Sequence, residues 1–212
     1  MPRVVRTRRI SLYTGIVSGT APVTGVDDGE RVRTLTIDLD GFSEGLQIGA
    51  SVALDGVCMT VISMQGTEVS FDAIEETLGR TTLGGVNLGH MVNVERSLRM
   101  GDELGGHLLS GHVMTTAKII GRVDRGEGLD LLIENPSKAR PYILEKGFIA
   151  IDGMSLTIGG VSDNSFALHI IPETLRITTI GDKRVGDSVN IEIDSRTQAV
   201  VETVMRNIGD SA

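Results

Sequence analysis

Apolar and polar residues along this chain alternate in short runs. Val52, Leu54, Val57, Met59 and Val61, then Val69 and Phe71, then Met91, Val92 and Val94 form clusters rich in β-branched residues, broken by Asp-Gly, Gln-Gly and Gly-Gly pairs. Alternation bounded by such turn signals predicts short strands. In Val57-Cys58-Met59-Thr60-Val61 it puts Val57, Met59 and Val61 on one face and Cys58 and Thr60 on the other. Helical spacing emerges only near the end, where Ala199, Val200, Val201, Val204, Met205 and Ile208 recur every three to four residues before Gly209. Ser195-Arg196-Thr197-Gln198 reads as the capping box that opens this helix, assigned to 196–212. A helix of about 12–15 residues is marginal alone, so its apolar stripe needs a partner. Either its own domain or a helical bundle between subunits would serve.

The chain is also written twice. Asp55-Gly56-Val57-Cys58-Met59-Thr60-Val61 returns as Asp152-Gly153-Met154-Ser155-Leu156-Thr157-Ile158, a shift of 97 positions, and Glu76-Thr77-Leu78 returns as Glu173-Thr174-Leu175 at the same shift. Gly89, Val92, Asn93 and Glu95 return as Gly186, Val189, Asn190 and Glu192, again at 97; Gly15, Val17, Thr20 and Ala21 return as Gly111, Val113, Thr116 and Ala117, at 96. A period this long exceeds any solenoid or propeller unit, so each copy is a small domain. Many short strands within such a copy suggest a small closed barrel, which also removes exposed sheet edges. The boundaries expected are a basic tail at 1–11, barrel 1 at 12–107, barrel 2 at 108–195 and the helix beyond.

Composition then narrows the classes. The 212 residues carry a net charge of −8, which argues against a nucleic-acid or anionic-membrane binder. No apolar run reaches the length of a spanning helix and no signal-peptide pattern is present, so a soluble cytoplasmic protein is expected. The single cysteine, Cys58, excludes an intrachain disulfide or a multi-cysteine zinc site. Glycine is abundant, at 27 residues, while aromatics make up 3%, so the cores must be aliphatic and the turns frequent.

Candidate chemistry sits where the copies agree in pattern but differ in residue. The small polar pair Cys58/Thr60 returns as Ser155/Thr157 opposite an aliphatic face, as a ligand-facing wall at a barrel mouth requires. Backbone hydrogen bonding by these groups is the plainer alternative. Cys58 becomes Ser155, Ile16 becomes His112, Ser97 becomes Asp194 and Tyr13-Thr14 becomes Leu109-Ser110. His112 is the natural proton-transfer candidate, since imidazole titrates nearest neutrality; the alternative is an ordinary loop histidine. His107 shares the segment and spacing does not separate the two. Cys58 is a nucleophile, a proton donor or a packed thiol. Gly15 and Gly111 let a flat ligand approach the backbone, although turn formation alone explains each glycine.

Taken together, these blocks resemble the riboflavin synthases of the alpha-chain type. The resemblance rests on Tyr13-Thr14-Gly15-Ile16-Val17, Gly49-Ala50-Ser51-Val52 with Gly56-Val57-Cys58-Met59-Thr60-Val61, Gly105-Gly106-His107-Leu108-Leu109-Ser110-Gly111-His112-Val113, Asp152-Gly153-Met154-Ser155-Leu156-Thr157, Ile171-Pro172-Glu173-Thr174-Leu175 and Asn190-Ile191-Glu192-Ile193-Asp194. It implies an all-β fold of two six-stranded antiparallel Greek-key barrels with a C-terminal helix, assembled as a homotrimer with sites between subunits. It implies dismutation of two molecules of 6,7-dimethyl-8-ribityllumazine to riboflavin and 5-amino-6-ribitylamino-pyrimidinedione, the last step of riboflavin biosynthesis, with no cofactor and no metal. A non-catalytic lumazine- or flavin-binding antenna protein on the same duplicated barrel is the alternative.

Carried over by position, the resemblance groups Gly15, Ile16, Val17, Met59, Thr60, Asp72, Ala73, Ile74, Glu75, Glu76 and Thr77 as lumazine-binding segments of the first copy. It groups Gly111, Val113, Lys146, Leu156, His169, Ile170, Ile171, Pro172, Glu173 and Thr174 with those of the second. His112 and Thr157 are expected to assist proton movement, Cys58 to lie against the partner lumazine, and Ser155, Ser51 and Asp194 to orient a hydroxyl or water. The family usually opens with Met-Phe where this chain has Leu12-Tyr13, and the basic lead Met1 to Ser11 is unusual. A start at Leu12, read as methionine, is therefore expected for the native protein.

Overall fold

A computed structural model describes residues 11–209, so the basic tail expected at 1–11 lies outside the described residues apart from Ser11. Two closed antiparallel barrels follow each other along the chain. Barrel 1 comprises β1 (Gly19–Asp28), β2 (Val32–Asp38), β3 (Ser51–Leu54), β4 (Val57–Gln65), β5 (Glu68–Ile74) and β6 (Met91–Arg96), in ring order β1-β2-β5-β4-β3-β6. Barrel 2 repeats that order with β7 (Thr115–Arg125), β8 (Gly128–Glu134), β9 (Phe148–Ile151), β10 (Met154–Val161), β11 (Ser165–Ile170) and β12 (Ser188–Ile193). Register irregularities recur at matching places, between Val23 and Gly25 and between Ile119 and Gly121 on the first strands, and after Val61 and Ile158 on the fourth. An extra residue bends a strand, and a six-stranded ring needs such corners to close.

The alternation read in the sequence sorts inside from outside. Val57, Met59 and Val61 are buried, Cys58 is half-buried and Thr60 is exposed. Leu35, Ile37, Val52, Leu54, Val69 and Phe71 fill barrel 1; Leu131, Ile133, Ile149, Ile151, Phe166 and Leu168 fill barrel 2. Aliphatic side chains, joined by Phe71 in one and Phe166 in the other, therefore occupy both barrel interiors. The polar pairs Cys58/Thr60 and Ser155/Thr157 face outward from the barrel walls instead of lining a barrel mouth.

Two short helices, α1 (Glu75–Arg80) and α2 (Pro172–Ile177), follow β5 and β11, and α3 (Ser195–Gly209) ends the described chain. The cap of α3 is Asp194, not the Ser195 expected from the capping box. Its Oδ2 accepts from the Thr197 N–H at 3.0 Å and the Thr197 hydroxyl at 2.8 Å, so the carboxylate takes the helix's free donors and moves the start one residue back.

The segments that open each half cross over. Val17 lies in the core of barrel 2 and Val113 in the core of barrel 1. Backbone bonds fix the exchange: the Ser155 N–H donates to Gly15 O at 2.8 Å and the Cys58 N–H to Gly111 O at 2.9 Å. Between them, Tyr13 and Leu109 form an antiparallel bridge. Each barrel is thus completed by residues that precede the other.

Candidate functional site

The crossing decides which predicted residues meet. On the outer wall of barrel 1, Ser51 stands opposite Thr60 and Ala53 opposite Cys58. Gly111 reaches this wall from the other half, placing exposed His112 beside it. The Ser51 hydroxyl accepts from the Ser11 hydroxyl at 2.6 Å. Asp72 is exposed on β5 and accepts from the Thr34 hydroxyl at 2.7 Å. Ile74 projects at 54% exposure, and Glu75, Glu76 and Thr77 begin α1, where Glu76 pairs with Arg80. Met59 and Ala73 are core residues, so only their backbone can serve this wall.

Barrel 2 presents the matching wall with different chemistry. Ser155 stands opposite Ala150 and Thr157 opposite Phe148. Gly15 and exposed Ile16 arrive here from the first half. His107 Nδ1 lies 2.6 Å from Ser155 Oγ, and the imidazole stacks on Phe148 with ring centroids 5.1 Å apart. Burial holds the His107 pKa below the ordinary histidine value, against the opposing pull of Asp194, so the ring is neutral at neutral pH. Its Nε2 is buried and finds no hydrogen-bond partner among the described residues. His169 is exposed and contacts Asp130 Oδ1 at 2.6 Å, Lys146 is exposed in the turn before β9, and Ile171 leads into Pro172, Glu173 and Thr174 of α2. Val17, Val113 and Ile170 are core residues, and Leu156 packs against the core of barrel 2.

A buried glutamate anchors each crossing. Glu95 accepts from the Thr14 N–H at 2.7 Å, the Thr14 hydroxyl and the Gly15 N–H. Glu192 does the same for Ser110 and Gly111. Burial raises both carboxyl pKa values above the usual range although those donors oppose it, and the charge of Glu192 adds to the rise at Glu95. The repeated Val-Asn-x-Glu pattern of β6 and β12 is the signal in the sequence for these two anchors.

The structure therefore pairs the candidates differently from the grouping by copy. Gly111, followed by His112, lies against Cys58, and Gly15, followed by Ile16, lies against Ser155, while Val113 and Val17 enter the barrel cores behind them. A shift along the sequence ties Gly15 to its own copy, but the chain reaches the other barrel before its first strand begins. Asp194 is occupied as the cap of α3: burial would raise its carboxyl, and the Thr197 and Arg196 donors hold it below the usual range. Tyr13, whose hydroxyl carries no signal in the sequence pattern, places that oxygen 3.1 Å from Cys58 Sγ.

Thr60 and Thr157 are exposed on the two walls, Cys58 and Ser155 half-buried. A cleft of about 1260 Å³ runs beside Arg33, Thr82, Thr179 and Lys183, and another of about 870 Å³ beside Phe42, Arg96 and Arg99, but neither is lined by Cys58, Thr60, Ser155 or Thr157. Among the described residues no three His, Cys, Asp or Glu side chains gather as a metal site needs, and no helix is long and apolar enough to cross a membrane.

Known proteins resemble the chain in the same two halves. The lumazine binding domain family model matches residues 14–97 and again 110–194. A riboflavin synthase from Escherichia coli strain K12 is 48% identical over 197 residues, covering 92% of each chain. One from Chlamydia pneumoniae is 47% identical over 176 residues, covering 80% of this chain and 83% of its own. A crystal structure of LumP complexed with riboflavin superposes with a TM-score of 0.79 at 27% identity, over 85% of this chain and 98% of that one.

Proposed function

Because this chain belongs to the riboflavin synthase family, with a lumazine binding domain in each half, we propose that it converts two molecules of 6,7-dimethyl-8-ribityllumazine into riboflavin and 5-amino-6-ribitylamino-pyrimidinedione. One substrate surrenders a four-carbon unit to the other, and the atoms of two substrates equal those of the two products. No external oxidant, reductant or group donor is needed.

The observation that carries this reading is the unequal pair of outer walls. Two copies of one heterocycle must play opposite parts, donor and acceptor, and the walls differ in the polar groups they offer. One carries the thiol of Cys58, the hydroxyls of Thr60 and Ser51, and the imidazole of His112. The other carries Ser155 held by neutral His107, with Thr157 beside it. Holding both rings in register supplies several kcal/mol of the barrier through orientation. His112 and Thr157 move the proton lost from the C7 methyl of one lumazine, and Cys58 lies against the partner ring. Ser155 and Ser51 orient a hydroxyl or water, while Asp194 acts at one remove, through the α3 cap and its charge near His107.

Thr60, His112 and Thr157 are exposed on the walls of the single chain, and the apolar stripe of α3 is uncovered: Val200, Val204, Met205 and Ile208 are half exposed or more. Both features support a homotrimer held by α3, in which barrel 1 of one subunit faces barrel 2 of another and each site lies between subunits. A free cysteine suits a reducing compartment, and we place the enzyme in the cytoplasm.

The test is incubation of the purified protein with 6,7-dimethyl-8-ribityllumazine alone. Riboflavin and the pyrimidinedione should form in equal amounts. Fluorescent binding without conversion would overturn the reading and leave a lumazine- or flavin-binding antenna protein.

A further inference from the structure

We infer that His107 is a positioning residue for Ser155: its Nδ1–H donates to the serine oxygen and leaves the serine's own proton to the outer wall of barrel 2. Ser155 is then a fixed donor to an acceptor atom there, on a bound heterocycle or on the hydroxyl or water that it orients. The inference deepens the proposed reading of that wall as a substrate surface and rests on it.

His107 is 7% exposed, and its surroundings leave the ring one place to go. The imidazole stacks on Phe148 with planes 17° apart, and the His107 backbone N–H donates to Thr14 O at 3.1 Å. Gly106 makes this approach feasible, since a Cβ there would collide with Thr14 O and stand 2.8 Å from Ser155 Cβ. Nδ1 thereby comes within 2.6 Å of Ser155 Oγ, while Nε2 is buried and finds no partner among the described residues.

The unpartnered nitrogen decides where the proton sits. A neutral imidazole carries one N–H. On Nε2 that proton would be a buried donor without an acceptor, a state that folded proteins avoid more strictly than a bare lone pair. On Nδ1 it has Ser155 Oγ in reach. Burial keeps the ring neutral against the pull of Asp194, and a second proton would leave Nδ1 a donor all the same.

Ser155 Oγ has no other hydrogen-bond partner among the described residues. One of its lone pairs takes the imidazole proton, so the hydroxyl hydrogen is uncommitted. Ser155 is half-buried, and exposed Ile16, Thr157 and Phe148 lie in the same wall. Apolar side chains around one fixed donor suit a flat ring with acceptors at its edge. Wall 1 has no such arrangement. The shift of 96 that relates Gly15 to Gly111 sets Ser11 against His107, and Ser11 donates to Ser51, not to Cys58.

Nitrogen-15 NMR of the free protein, with the His107 ring assigned through bonds from its backbone, reads the proton directly. Nδ1 should be protonated and Nε2 bare; the reverse would overturn the inference. In turnover, His107→Leu should lower kcat/KM roughly tenfold by releasing the donor, and His107→Asn, whose amide reaches the place of Nδ1, should recover most of the loss. In a Ser155→Ala background His107→Leu should cost nothing further, because the residue acts through that hydroxyl. A merely structural role would lose the same factor in both backgrounds and refute the assignment. Should the leucine variant fail to fold, the proton position in the unaltered protein still decides. That reading involves no lumazine, so absence of turnover would overturn the proposed reaction and leave it standing.

Discussion

Gly111 stands where a single Cβ decides how the halves join. Its φ is 75°, and a methyl group would lie 2.5 Å from Cys58 Cβ and 2.9 Å from Cys58 N, while Gly15 stands in the mirror position against Ser155. Alanine there is strained in the left-handed region and pushes the Gly111 carbonyl off the Cys58 N–H. Gly111→Ala should therefore lose roughly 2–4 kcal/mol of stability in urea unfolding, and turnover with it. Gly126, also left-handed at 64° but in open space, is the control. Gly126→Ala should cost only about 1 kcal/mol and leave turnover unchanged. Equal losses at the two positions would refute the close-approach argument. The sequence shows Gly15 and Gly111 as repeated glycines, but a turn glycine and a close-approach glycine look alike until the facing strand is known. Cys58, Ser155, Thr60 and Thr157 are legible because strand alternation assigns a face from neighbours alone. That the face is the outer one is not legible, because alternation does not say which way the sheet curls.

Among the elements, α3 is the one whose pattern exceeds what its own chain satisfies. Tyr142 reaches Glu202 at 3.3 Å and ties the helix to barrel 2, yet the seam of Val200, Val204, Met205 and Ile208 stays in solvent. Introducing a charge at the centre of that seam costs little in an isolated helix and a great deal in a bundle. Val204→Glu should break the proposed trimer into monomers, read by light scattering against the parent, with an unchanged far-UV circular dichroism spectrum, and turnover should fall with assembly. A variant that remains assembled would remove α3 as the contact. The helix itself is legible from three-to-four spacing. Its cap differs from the expected one by a single residue because Ser195 and Asp194 are both good caps, and only the barrel fixes the angle at which the chain enters the helix and gives the role to Asp194.

At the scale of the whole molecule, the two barrels meet about a near-symmetric seam, and the duplicated sequence announces the symmetry without announcing how the seam is built. Asn93 donates to Asp152 O and its Oδ1 accepts from the Thr179 N–H, while Asn190 does the same with Asp55 O and the Thr82 N–H. These reciprocal bonds are invisible in the sequence because their partners lie 59 to 135 positions apart. The seam is imperfect in charge. Lys183 Nζ lies 3.1 Å from Asp152 Oδ2, whereas the equivalent position in the first half is Val86, so two buried carboxylates share one cation. Burial first, then the charge of Asp152, raises the Asp55 pKa to about 7, with Lys183 and the Asn93 N–H opposing. Asp187 adds a further negative charge near Lys183. The unfolded chain releases that proton near pH 4, so between about pH 4 and 7 the native state binds the extra proton. Its contribution to stability is present below about pH 4, declines as pH rises through 7 and is absent above. Asp55→Asn keeps an oxygen to accept the Asn93 N–H, a bond of 2.8 Å in the parent, and removes the negative charge that Asp152 opposes. The stability of the variant relative to the parent should rise by a few kcal/mol from pH 5 to pH 8, at about 1.4 kcal/mol for each pH unit up to 7. Paired urea titrations at those two pH values measure the difference, and an identical effect at both would show that Asp55 is ionised throughout and that Lys183 neutralises both carboxylates at once.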